Sequence, residues 1–182
     1  SKYIPEVALS VYRRERAAGR GRNSAVLETA LLSRLRMLDR DVYESLPDGG
    51  DGAGARLWKA VREESTLEDI AQAARTKRYP LARMRRMLLC AALGVSAEYT
   101  KTLPPYARVL AADSAGCAYL REIDGKSAAP VLTKPAAVRR LDGNAAKVFA
   151  LGASAHDVYT LQNVTNSDRK CGQDWRNGPA IV

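Results

Sequence analysis

Between positions 75 and 86 the chain reads Arg-Thr-Lys-Arg-Tyr-Pro-Leu-Ala-Arg-Met-Arg-Arg, with six basic side chains and no acid. Side chains of these types hold anions. Guanidinium groups grip phosphate oxygens in pairs, and an aromatic ring among them offers its face to a base. Pro80 suits the first turn of a helix, where its missing N–H is not needed, so a helix is expected from there to about residue 93. At 100° per residue, Leu81, Met84, Met87, Leu88 and Ala91 share one apolar arc, with Arg83 and Arg86 on the opposite side. Arg85 lies at the edge of the arc and reads as a snorkelling or structural arginine. The helix start then presents Lys77, Arg78 and the Tyr79 ring beside Arg83 and Arg86, where the positive end of the helix dipole favours an anion. Nucleic-acid binding is the leading expectation. The competing ones are a solvated basic face, or a basic helix that docks an acidic partner in an interaction or scaffold module.

Other chemistry-bearing residues are sparse. His156 beside Asp157 has the makings of an acid–base pair, but at an expected helix start the pair reads as a cap. Trp175 with Arg176 reads as an anchor for the tail. Cys90 has no histidine near it in sequence that would make it a nucleophile. Cys90, Cys117 and Cys171 are far apart and the single histidine has no mate, which excludes the usual zinc spacings. The glycine-rich run at 49–54 lacks the Lys-Ser/Thr ending of a phosphate loop. No catalytic constellation, metal site or cofactor is therefore expected in this chain.

The elements that must position the basic run are mostly helical. A helix is expected from Pro5 to about Ala18, broken by Gly19-Arg20-Gly21-Arg22-Asn23. Ser24 is placed to cap the next helix, with Leu27, Leu31, Leu32, Leu35 and Leu38 at helical spacing and Arg34 and Arg36 off the centre of that stripe. Residues 47–54 are a loop by composition. Helices follow over 55–64, with Leu57, Trp58 and Val61 inward, and after a capping box at Ser65 and Glu68. Residues 107–112 read as one short buried strand and 130–133 as another, joined by a helix that Asp113 or Ser114 caps. Two more helices are expected over 143–150 and 154–161, then an irregular tail. The fold class is α+β, predominantly α. A helical part spans 1–98, with its basic helix at 75–93, and a small α/β part with two or three short strands spans 104–182.

Charge is distributed in blocks. Residues 1–40 carry nine Lys/Arg against four acids, 41–74 three against eight, 75–110 eight against one, and 111–182 nine against seven. The net charge of +9 points to a polyanionic partner. Arginine outnumbers lysine 21 to 8, which suits phosphate binding and also fits a GC-rich genome. No apolar run reaches the roughly 20 residues that cross a bilayer, so no membrane partner is expected. The cysteine usage points to a reducing, cytoplasmic compartment. Position 1 is Ser1 rather than methionine, so the expectation is a chain that starts at a cut.

The stretch Thr76-Lys77-Arg78-Tyr79-Pro80-Leu81-Ala82-Arg83-Met84-Arg85-Arg86-Met87-Leu88-Leu89 resembles the T-K-R-Y-T-x-x-R-[LI]-x-R-[LI]-L block of the tRNA(Met) cytidine acetate ligases and their nucleotidyltransferase-like relatives. Leu31-Leu32-Ser33-Arg34-Leu35-Arg36 is similar to their L-L-x-R-L-R segment. The runs from Tyr106 through Gly116 and from Ala129 to Lys134 look like their closing region. The chain departs from the pattern at Pro80, where threonine is usual, and at Gly54 and Ala55, where glutamate and asparagine are usual. The resemblance implies an enzyme that activates acetate with ATP and Mg, then acetylates N4 of the wobble cytidine of tRNA(Met). Its ATP would sit in an N-terminal nucleotidyltransferase domain with an H-x-G-H-like motif, which His156 alone does not supply. This chain would then be the C-terminal, tRNA-binding portion, without the nucleotidyltransferase domain and non-catalytic alone. Lys77, Arg78, Tyr79, Arg83 and Arg86 are its primary RNA contacts and Arg34 and Arg36 its secondary ones.

Overall fold

The computed structural model describes residues 3–18, 21–101 and 103–182. Gly19 and Arg20, part of the expected helix break, lie outside them. Helix α1 (Glu6–Ala17) starts behind Pro5 and buries none of its residues. Five helices then make the larger core: α2 (Ser24–Arg36), α3 (Arg40–Glu44), α4 (Ala53–Glu63), α5 (Leu67–Ala74) and α6 (Leu81–Leu93). Leu35, Leu57, Val61, Ile70, Met84 and Met87 are fully buried there. The arc read from the sequence of α6 thus faces inward, with Leu88 and Ala91. Gly94, at φ +76°, ends that helix in the left-handed conformation that glycine adopts without steric cost.

Two caps differ from expectation. Asn23, not Ser24, caps α2, its side chain accepting from the Ala25 N–H. The reciprocal cap of α5 sits one residue on from the Ser65–Glu68 spacing: Thr66 accepts from the Asp69 N–H, and its hydroxyl donates to the Asp69 carboxylate at 2.6 Å. Glu68 is thereby free to face another helix. Trp58, expected inward, is only half-buried, with the Arg62 guanidinium 4.0 Å from its ring centroid.

Helix α3 had no periodic signal, being five residues long. It matters nonetheless, because Tyr43 is fully buried and donates to the Leu35 carbonyl at 2.5 Å. Burial pushes the Tyr43 hydroxyl up to about 12. The start of α4 lies directly on this helix. A Cβ at Gly54 would stand 2.2 Å from the Tyr43 carbonyl oxygen, so only glycine fits.

Beyond a 3-10 turn at Ala97–Thr100, the single strand expected over 107–112 divides. Strand β1 (Ala107–Arg108) pairs in parallel with β3 (Val131–Leu132), whereas β2 (Ala111–Ala112) pairs in parallel with β4 (Ala180–Ile181) from the tail. The apolar run is continuous in sequence, but its partner changes midway, and only tertiary structure dictates that. Helix α7 (Ser114–Glu122) is capped by Asp113, which accepts from the Gly116 N–H at 2.7 Å. A short α8 (Pro135–Val138) precedes α9 (Gly143–Thr160), one unbroken helix where two were expected. Gly152 lowers the propensity of α9 by about 1 kcal/mol without breaking it.

The second core is small: Leu132, Val138, Phe149 and Ala153. Phe149 takes the edge of Trp175 at 4.9 Å between ring centroids, so Trp175 anchors the tail as expected. Helix α9 also packs on α2 and α6. The Asn23 N–H donates to the Gln162 carbonyl and the Val164 N–H to the Gly21 carbonyl, closing an antiparallel bridge between Arg22 and Asn163.

Candidate nucleic-acid interface

The ridge of residues 75–86 sits where α5 turns into α6, and the loop that precedes α4 lies against it. Arg78 pairs with the Asp51 carboxylate at 2.6 Å and Arg86 with the Asp48 carboxylate at 2.8 Å. Arg83 donates to the Asp48 carbonyl at 2.5 Å and lies 5.1 Å from the centroid of the Tyr79 ring. Tyr79 in turn donates to the Asp51 carbonyl. Both aspartates hold positive φ, 64° and 60°. The arginines thus fasten a loop of unfavourable backbone conformation in place. The Arg86 hydrogen bond is the main cause that holds the Asp48 carboxyl below its ordinary value.

The sequence-predicted residues meet different fates. Lys77 and Arg34 are exposed and make no ion pair among the described residues. Arg36 is exposed and donates to the Glu64 carbonyl at 3.3 Å. Arg78 and Arg86 keep 64% and 60% of their side-chain surface open, so water and a competing anion reach them. Arg83 is half-buried, and its Nε has no hydrogen-bond partner among the described residues. Tyr79 differs most from expectation. At 8% exposure, capped by Arg83, its ring is a piece of the core rather than a platform on which a base stacks. Arg85 is structural as expected, gripping Glu68 with two nitrogens at 2.7–3.0 Å and lowering that carboxyl's pKa.

Sequence reading overlooked the acids. Asp48, Asp51 and Glu68 all come from the acidic block 41–74, immediately before the most basic block. That adjacency was the available signal that the two would meet. His156 and Asp157 also differ from expectation, for they lie inside α9 rather than at a helix start. Nδ1 of His156 is 3.1 Å from the Asp174 carboxylate, off the line of a good hydrogen bond, and Asp174 pairs with Arg108 at 2.9 Å. Asp157 accepts from the Gly172 N–H at 2.7 Å. Asp157 thus pins the tail, with His156 beside it.

Burial raises the Cys90 thiol, which suits packing rather than nucleophilic chemistry. No cluster of three His, Cys, Asp or Glu among the described residues is placed to hold a metal, and no helix among them is long and apolar enough to cross a membrane.

The arrangement is a helical, arginine-faced module joined to a small α/β part. The family model described as HIGH Nucleotidyl Transferase matches residues 1–174, and the chain belongs to that family. Among curated proteins, the chain is similar to the tRNA(Met) cytidine acetate ligase of Thermosipho melanesiensis, 27% identical over 96% of this chain and 46% of that protein. The Clostridium kluyveri ligase is 33% identical over 75% of this chain and 32% of that protein. Among solved structures, Thermotoga maritima TmcAL has the same fold in two crystal forms. The apo form gives a TM-score of 0.84 at 21% identity, and the form bound with alpha-thio ATP 0.83 at 22%. Each match covers 98% of this chain and under half of the TmcAL chain. The chain spans about half the length of the relatives it matches most fully.

Proposed function

We propose that this chain is the tRNA-binding portion of a cytoplasmic tRNA(Met) cytidine acetate ligase. In that enzyme a separate nucleotidyltransferase domain would use ATP and Mg to form acetyl-adenylate, and the acetyl group would pass to N4 of a cytidine. The two 3-10 turns, nine helices and four short strands described would then grip and orient the RNA and carry no step of the chemistry. Supporting this are the ligase relatives and the family's nucleotidyl transferase description. The observation that carries it is the open ridge: Lys77 makes no ion pair among the described residues, and Arg78 and Arg86 are exposed, each matched to one carboxylate that a phosphate can displace. A backbone phosphate matches a carboxylate in charge and in free oxygens, so the gain comes from many phosphates bound together and from the counterions they release, most strongly at low ionic strength. Arg34 and Arg36 extend the contact as secondary cations, and Arg83 and Tyr79 hold the ridge in shape.

The test is tRNA binding by the intact chain across a salt series. The triple variant Lys77→Ala, Arg78→Ala, Arg86→Ala is expected to weaken binding about tenfold or more and flatten the salt slope by two to three phosphate contacts. Binding indistinguishable from the unaltered chain would remove the ridge from the interface.

A further inference from the structure

Away from the ridge, the α/β part holds an open cavity of about 960 Å³ between α7, β3, α8 and the start of α9. That is at the upper end of the roughly 300–1,000 Å³ typical of ligand pockets. Its walls are apolar where Leu120, Ile123, Leu132 and Leu141 line it. Arg121, Lys134 and Arg140 stand around them, all exposed, and none makes an ion pair among the described residues. Asp124, Asp142 and Asn144 complete the polar lining.

We propose that this cavity is a second RNA site, one that takes a single-stranded, unstacked segment; it rests on the reading of the chain as an RNA-binding module. Three cations at a rim hold sugar–phosphate, and an apolar floor accepts the face of a base that has left its stack. The carboxylates of Asp124 and Asp142 and the amide of Asn144 suit the amino and carbonyl edges of that base. A duplex does not enter a concavity of this size, because its bases are stacked inside and only its backbone is offered. The two sites thus divide the work by chemistry: the convex ridge meets backbone, and the concave pocket meets an exposed base. The free state of the pocket cations is the difference that matters, since no internal carboxylate has to be displaced before they bind.

The experiment measures fluorescence anisotropy of the full chain with three probes: tRNA, a short unstructured RNA oligonucleotide and the same sequence in a perfect duplex. Two variants accompany it. Arg121→Gln, Lys134→Gln, Arg140→Gln removes the cations, and Ala128→Trp fills the exposed mouth with no change of charge. Both variants are expected to lose oligonucleotide affinity about tenfold, the charge variant with a salt slope lowered by about two, while duplex binding changes far less. If both bind the oligonucleotide like the unaltered chain, the pocket is not an RNA site. If only the charge variant weakens, the effect is general electrostatics and the pocket is again overturned. A chain that binds tRNA through the ridge but ignores the oligonucleotide overturns the pocket alone; one that binds neither overturns the RNA reading with it.

Discussion

In the helical bundle, six basic side chains crowd into residues 75–86, yet Arg78, Arg85 and Arg86 each face a carboxylate and Arg83 holds a backbone carbonyl. In the α/β part the cations are dispersed between 108 and 176; Arg108 pairs with Asp174, but Arg121, Lys134 and Arg140 have no such partner among the described residues. The cores differ in the same sense. The bundle interlocks five helices, whereas the α/β part hangs on an apolar cluster of four buried side chains and two parallel strand pairs of two residues each. What this contrast teaches is that charge density and charge availability are separate quantities. Arginines near a well-packed core are recruited to hold loops. Around the thin core Arg108 is taken up by Asp174, whereas Arg121, Lys134 and Arg140 remain open to solvent and to ligands.

The comparison can be broken or sharpened, beginning with the largest effect. Phe149→Ala removes the centre of the small core and should cost about 3–4 kcal/mol. Amide hydrogen exchange should then rise first over residues 104–182, with α4 to α6 still protected. Uniform loss of protection would mean that the two cores are one cooperative unit. Next comes Gly54→Ala, expected to cost about 2–3 kcal/mol because the added carbon meets the Tyr43 carbonyl and the backbone must shift. Denaturant unfolding measures it, and an unchanged midpoint would show that the loop relaxes freely.

A smaller effect is predicted for Asp48→Asn, which keeps a residue tolerant of positive φ while removing the negative charge that faces Arg86. RNA affinity should rise roughly two- to fivefold, in line with the strength of an exposed ion pair; a fall would make the aspartate part of the binding surface. The smallest effect is on pH dependence. Because its folded pKa is depressed, the Asp48 pairing is complete above the carboxyl's ordinary value of 3.8 and is lost as pH falls through the lower folded value. Carboxyl titration by NMR should give a midpoint below 3.8 that Arg86→Ala moves back up.

Much of the helical part was legible in the sequence because its signals are local. The stripe in α6 and the structural Arg85 follow from a period of 3.6 residues, and the helix start from the missing N–H of Pro80. Short elements without a period were not legible: α3, α8, and the division of 107–112 between two sheets depend on contacts with Leu35, β3 and β4. The site was half legible. The identity of the cations was plain, but whether each is free depends on acids some 17 to 38 residues away in the chain. Tyr79 shows the same limit. An aromatic ring in a basic run looks like a stacking platform until the Asp51 carbonyl and Arg83 are seen to cover it.

The most direct test sets Lys77→Ala, which removes an exposed cation with no ion pair among the described residues, against Arg85→Ala, which removes one clamped by Glu68, and compares the salt dependence of tRNA binding. The expected result is a slope reduced by about one contact for Lys77→Ala and unchanged for Arg85→Ala. Equal losses for the two would contradict the account, since affinity would then track the number of basic residues rather than their freedom to bind.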